Sequence, residues 1–96
     1  MNLSDFKSTL NNEKAPAGLS PALESLWVAG KGDWDGAHTI VQGYEGQKKP
    51  DWVHAFLHRQ EGDMPNANYW YRRAGRTMPS TSLEQEWDDI VTSLLV

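Results

Sequence analysis

The feature that most constrains the fold is a Gly-Asp pair that occurs twice, at 32–33 and again at 62–63. Glycine lets a chain turn sharply at the end of a helix, and aspartate caps the helix that follows. The two pairs are 30 residues apart, and shifting the chain by 30 residues also superposes apolar positions. The superposed pairs are Leu23 with Val53, Leu26 with Phe56, Trp27 with Leu57, Ala37 with Ala67 and Val41 with Tyr71. A helical repeat of this length predicts two stacked α-helical hairpins.

Helical spacing of apolar residues continues on both sides of these turns, and no segment alternates with a period of two, so we predict no strands. Ser20-Pro21 is typical of a helix start, and Ser82 begins a capping-box pattern. The predicted segments are an N-terminal helix with its linker at 1–18, hairpins at 20–45 and 51–79, and a capping helix at 82–95. We therefore predict one all-α domain over residues 1–96, an antiparallel α-α superhelix.

Local patterns add further expectations about burial and helix ends. Pro50 is expected to lie in the connection between the hairpins, so that the next helix begins at Asp51. Tyr44 and Leu83 fall at helical spacing with apolar neighbours and are expected to be buried.

Composition and charge exclude several classes of protein. The chain has no Cys, which excludes disulfide frameworks, thiolate zinc sites and thiol nucleophiles. A net charge of -4 argues against non-specific binding of nucleic acid. The first residues lack the pattern of a signal peptide, and no apolar run is long enough to span a membrane. We expect a cytoplasmic monomer or homodimer without a cofactor.

The second hairpin resembles the tetratricopeptide repeat family. Its matching small, turn, aromatic and proline positions are Ala55, Gly62, Ala67, Tyr71, Ala74 and Pro79, and those of the first hairpin are Ser25, Gly32, Ala37 and Val41. The resemblance covers residues 20–79 and implies stacked helices with a groove that binds a protein or peptide. The run 52–76 is also similar to short bacterial proteins without an assigned activity, which implies no function.

His54, His58 and Glu61 lie at i, i+4 and i+7, on the side of their helix opposite its apolar residues. Two imidazoles and a carboxylate on successive turns are able to hold Zn²⁺ or another transition metal, or to form an acid-base pair. The alternative interpretation is that both histidines lie on a solvated or groove-facing surface and form hydrogen bonds with neighbouring groups. His38 becomes a third ligand only if its own helix presents it to the same side.

Arg72, Arg73 and Arg76 form a cluster near Tyr69. One interpretation is structural: the guanidinium groups interact with the helix dipole and pair with acidic residues of the last helix. Those acidic residues are Glu84, Glu86, Asp88 and Asp89. The other interpretation is a site for an anion or a peptide carboxylate.

The leading hypothesis is a non-catalytic module that binds a protein or peptide in a groove lined by the first helix of each hairpin. The candidate contact residues are His54, His58, Arg59, Glu61, Tyr69, Arg72 and Arg73. The alternative is a small-ligand or metal-binding protein, with or without catalysis, that uses His54, His58 and Glu61.

Overall fold

The computed structural model describes all 96 residues and contains six helices and no strands, which confirms the all-α class. The helices are α1 Leu3–Thr9, α2 Pro21–Gly30, α3 Trp34–Gln42, α4 Lys48–Gln60, α5 Met64–Arg73 and α6 Leu83–Leu94. None of the six combines the length and the apolar composition that crossing a bilayer requires.

The two Gly-Asp turns have the same geometry. Gly32 and Gly62 both have a φ of 88°, in the left-handed region that favours glycine. The amide of each following aspartate donates to the carbonyl five residues earlier, as in a Schellman motif. The side chains of Asp33 and Asp63 then each accept a hydrogen bond from the backbone N–H three residues on, capping α3 and α5. The predicted turns between α2 and α3 and between α4 and α5 are confirmed.

Helix α4 lies at the centre of the molecule. It packs against α5 within its own hairpin, against α2 and α3 of the other hairpin, and against α6. All residues from Trp52 to His58 are consequently buried, although this segment includes two histidines. This segment of α4 is enclosed on every side and has no solvated face, so its polar residues face protein.

Three local expectations are wrong. Helix α4 begins at Lys48, and Pro50 lies within its first turn, where the missing N–H breaks no helical hydrogen bond. Tyr44 is 40% exposed because α3 ends at Gln42 and the chain turns away from the core. Leu83 is 37% exposed because, at the first position of α6, it lines a surface cavity.

Helix α6 covers the first helices of both hairpins, since it packs on α2 and α4 and also contacts α1. The indole N–H of Trp87 donates to the Leu26 carbonyl of α2 at 2.9 Å. Glu86, which is 3% exposed, accepts hydrogen bonds from Arg59 of α4 at 2.8 Å and from the Tyr71 hydroxyl of α5. The face of α2 and α4 that we expected to be an open groove is therefore filled by the chain's own last helix.

Candidate functional site

All three histidines of the chain meet at the interface of α3, α4 and α5. His38 comes from α3, and His54 and His58 come from successive turns of α4. One ring nitrogen from each residue lies within 4.8 Å of the other two, and the Nε2 atoms of His54 and His38 are 3.1 Å apart. The structure thus adds His38 to the pair that the sequence spacing indicated.

The histidines are enclosed by protein and do not face a solvated surface or a groove. His54 is 2% exposed and His58 is 6% exposed, whereas His38 is half-buried at the outer edge of the cluster. Because α4 is central, the side opposite its purely apolar residues packs toward α3 and α5. The expectation that these imidazoles lie on an open face is wrong for that reason.

Two tryptophans form the walls of the cluster. Trp34 stacks on His38 with ring centroids 4.8 Å apart, and its indole N–H donates to the Leu57 carbonyl at 2.7 Å. Trp70 of α5 stacks on His54 with centroids 3.9 Å apart and planes 14° apart. Stacking of this kind fixes the orientation of the imidazole rings.

The role of both tryptophans as walls was not predicted from the sequence. Trp34 precedes His38 by four residues on one helix, and side chains at this spacing lie beside each other. That spacing is a signal that was available. The contact of Trp70 with His54 joins two helices and had no local signal.

Glu61, the C-cap residue of α4, orients one ring of the cluster. Its carboxylate lies 2.7 Å from Nδ1 of His58. When the Glu61 carboxylate accepts a hydrogen bond from Nδ1, the remaining nitrogen of the ring is Nε2, which lies 3.4 Å from the side-chain nitrogen of Asn66. A histidine ligand held by a carboxylate in this way is a common arrangement at metal sites. Glu61 lies outside the group of three histidines, but its carboxylate, a ring nitrogen of His58 and the carboxylate of Asp63 lie within 4.8 Å of one another, so the prediction that Glu61 can be a metal ligand stands.

Burial keeps two of the three imidazoles neutral. Loss of solvent lowers the pKa of His54 to about 3, and the proximity of His38, His58 and Arg73 contributes to the same shift. The pKa of His38 is also lowered, first by burial and then by the proximity of His58. Neutral imidazoles are the form that binds metal ions, so His38 and His54 compete little with protons at neutral pH.

One polar atom of the cluster has no partner within the protein. Nδ1 of His54 is buried and makes no hydrogen bond. An unsatisfied buried polar group destabilises a protein by about 1 to 3 kcal/mol, and an apolar side chain of similar size avoids that loss. The presence of histidine here favours a chemical role over a packing role.

The separation of the two Nε2 atoms of His38 and His54, which lie at hydrogen-bond distance, also fits a tetrahedral metal ion. Metal–nitrogen bonds of about 2.0 to 2.1 Å place two imidazole nitrogens about 3.3 Å apart. The observed 3.1 Å between His38 and His54 is close to that value. The 4.8 Å bound on the remaining separations exceeds this value by about 1.5 Å, so binding of an ion draws the three rings closer together.

Arg59 does not belong to the cluster. Its guanidinium group forms the buried ion pair with Glu86 and also donates to the Thr81 carbonyl, so it fixes α6 to α4. Burial and the bond to Glu86 raise the pKa of Tyr71, whose hydroxyl therefore stays a donor in this network. A role for Arg59 in contacting a partner is inconsistent with these internal bonds.

The other predicted contact residues lie on the outer surface of α5. Tyr69 is 45% exposed, Arg72 is exposed, and Arg73 donates to the Tyr69 hydroxyl at 2.9 Å. The expected pairing of the arginine cluster with acidic residues of α6 is wrong, because Glu86 pairs with Arg59.

None of the protein-family models, curated proteins and solved structures compared with this chain matches it.

Proposed function

We propose that this protein binds a transition-metal ion, with Zn²⁺ as the first choice, through one ring nitrogen each of His38, His54 and His58. The observation that carries the proposal is the convergence of all three histidines of the chain within 4.8 Å of one another. Imidazole suits Zn²⁺, Cu²⁺ and Ni²⁺, and three imidazoles leave a fourth position of a tetrahedral ion for water. Glu61 orients His58, and the two tryptophans hold the other rings.

The proposed role is binding without catalysis. The surface carries five cavities, and none of them is lined by His38, His54 or His58. Substrate sites are normally concave pockets beside the reactive group. A bound ion would therefore join α3 to α4 and stabilise the contact between the two hairpins.

We also propose that the hairpins stack as tetratricopeptide repeats do. The identical turns at Gly32 and Gly62 support this arrangement, as does the hydrogen bond from the buried Ser25 hydroxyl to the Ala37 carbonyl at 2.8 Å. In such a stack α6 occupies the face that would otherwise bind a peptide. A peptide could enter only by displacing α6, so this arrangement does not favour peptide binding at that face.

Titration of tag-free protein with ZnCl₂ in a calorimeter tests the metal proposal. We expect one ion to bind per chain. At a free Zn²⁺ concentration 100 times the Kd, binding stabilises the folded state by about 2.7 kcal/mol. For a domain of this size the midpoint of thermal unfolding then rises by roughly 10 °C or more.

Three variants make the titration specific. His38→Gln removes a half-buried ligand and should weaken Zn²⁺ binding by more than about 100-fold, whereas Glu61→Gln should weaken it by about 10- to 100-fold. Gln42→Ala changes an exposed residue of the same helix and should bind as the unaltered protein does. Equal affinity of the His38→Gln and Gln42→Ala variants would contradict the assignment.

A further inference from the structure

Five of the nine basic residues lie at one end of the molecule, where α4 begins and α5 ends. We call this surface the basic face. Its members are Lys48, Lys49, Arg72, Arg73 and Arg76, together with the exposed ring of Tyr69. This concentration is notable in a chain whose net charge is -4.

Most cations of the basic face have no acidic partner. Lys48, Lys49, Arg72 and Arg76 form no ion pair within 4.0 Å. Arg73 lies 3.8 Å from the carboxylate of Asp51, the longest of the four ion pairs in the structure. The positive charge of this face is therefore largely available to a ligand.

The acidic residues nearest the basic face make their hydrogen bonds and ion pairs elsewhere, although Glu86 and Asp89 line a cavity of about 420 Å³ together with Arg76. In α6, Glu86 pairs with Arg59, and Asp88 pairs with Lys7 at 2.9 Å. Asp89 accepts a hydrogen bond from Gln85 of its own helix. Glu45, in the loop before α4, is the remaining acidic residue near Arg73.

Two arginines of the basic face are held by aromatic rings. The guanidinium carbon of Arg76 lies 3.3 Å from the ring centroid of Trp52, and that of Arg73 lies 5.0 Å from the ring of Trp70. Stacking against a ring restrains the guanidinium group. The N–H edge of Arg76 makes no hydrogen bond within the protein and is free to bind a carboxylate with two hydrogen bonds, whereas Arg73 already donates to the Tyr69 hydroxyl. Arg76 also lines a cavity of about 260 Å³ together with Lys48 and Lys49.

We propose that the basic face docks an acidic segment of a partner protein, with carboxylates on the five cations and Tyr69 as an aromatic anchor. Tyrosine and arginine are the residue types most enriched at such interfaces. A long nucleic acid fits less well. Beyond the basic face only four basic residues remain against thirteen acidic ones, so a polyanion that extends past it meets a repulsive surface.

Fluorescence anisotropy with a labelled peptide of alternating Glu and Asp tests this proposal. We expect saturable binding in about 0.1 M NaCl, where the Debye length is about 10 Å, and loss of binding in 1 M NaCl, where it is about 3 Å. The double variant Lys48→Gln, Lys49→Gln should weaken binding by about tenfold, and Arg72→Gln should weaken it by about threefold. These side chains are exposed, and circular dichroism checks that the variants fold.

The matched control is Lys14→Gln, Lys31→Gln, which lowers the net charge equally at exposed positions outside the basic face. We expect its affinity to change less than about twofold. Equal losses in the two double variants, or no binding of the peptide by the unaltered protein, would overturn the proposal. Tighter binding of an oligothymidylate of equal charge would replace the acidic peptide by a nucleic acid as the ligand.

Discussion

His54 combines three properties that are individually uncommon. It is 2% exposed, its Nδ1 atom has no hydrogen-bond partner, and its ring stacks on Trp70 at 3.9 Å. Burial disfavours the protonated imidazole, the unpartnered Nδ1 is an unsatisfied polar atom, and the stacking on Trp70 holds the ring in place. A single residue thereby links the proposed metal site to the pH dependence of folding.

The stability of the fold should decrease at acidic pH because of His54. Its pKa is about 3 in the folded protein, whereas an unperturbed imidazole has a pKa of 6.5, so below pH 6.5 the unfolded chain binds a proton that the folded chain excludes. Between pH 8 and pH 5 this difference removes about 2 kcal/mol from the free energy of unfolding. Urea denaturation at the two pH values measures the loss.

His54→Leu separates this effect from other sources of acid sensitivity. Leucine fills a similar volume and does not titrate, so the variant should lose about 2 kcal/mol less than the unaltered protein over the same pH interval. His38, whose pKa is also lowered, remains in the variant but loses its contact with His54, so the comparison reports on the pair. If the two proteins lose the same free energy, the assigned cause is wrong.

The two helical hairpins are each defined by a turn between their helices, and the two turns have the same backbone geometry. Gly32 and Gly62 have equal φ angles, and a Cβ added at either position meets nothing within 4 Å. A side chain would therefore impose only the backbone strain of the left-handed conformation. This conformation is unfavourable for L-residues by roughly 1 to 2 kcal/mol.

Gly32→Ala and Gly62→Ala should each lower the free energy of unfolding by about 1 kcal/mol, and by the same amount, as measured by urea denaturation. Gly43→Ala is the matched control. Its φ is -73°, a value that alanine adopts readily, so this variant should be neutral or slightly stabilising. A loss in the control as large as in the other two would show that strain is not the cause.

Local and long-range interactions explain, at the scale of the whole molecule, what the sequence did and did not predict. The turns, the Asp33 and Asp63 caps and the spacing of His54 and His58 depend on neighbours in sequence, and the structure contains them. The position of α6 depends on contacts between distant segments, such as Trp87 with Leu26, and no local pattern indicates it.

The distinction between local and long-range interactions also holds for the histidine cluster and for the exposed arginine residues. The contact of His38 with His54 and the stacking of Trp70 on His54 each join two helices, so helical periodicity alone could not establish them. Arg59 looked like an exposed contact residue because its partner, Glu86, lies on a helix that is distant in sequence. The arginine cluster was recognised, but its freedom from the acidic residues of α6 required the structure.

The central claim is that the three histidines share one metal ion. Because the chain has no other histidine, a long-range ¹⁵N–¹H correlation spectrum of its imidazoles, recorded with and without one equivalent of Zn²⁺, tests the claim directly. We predict that one ring nitrogen of each of His38, His54 and His58 shifts to the metal-bound range and that Nδ1 of His58 stays protonated by virtue of Glu61. A spectrum in which fewer than three imidazoles respond to the ion would contradict the claim.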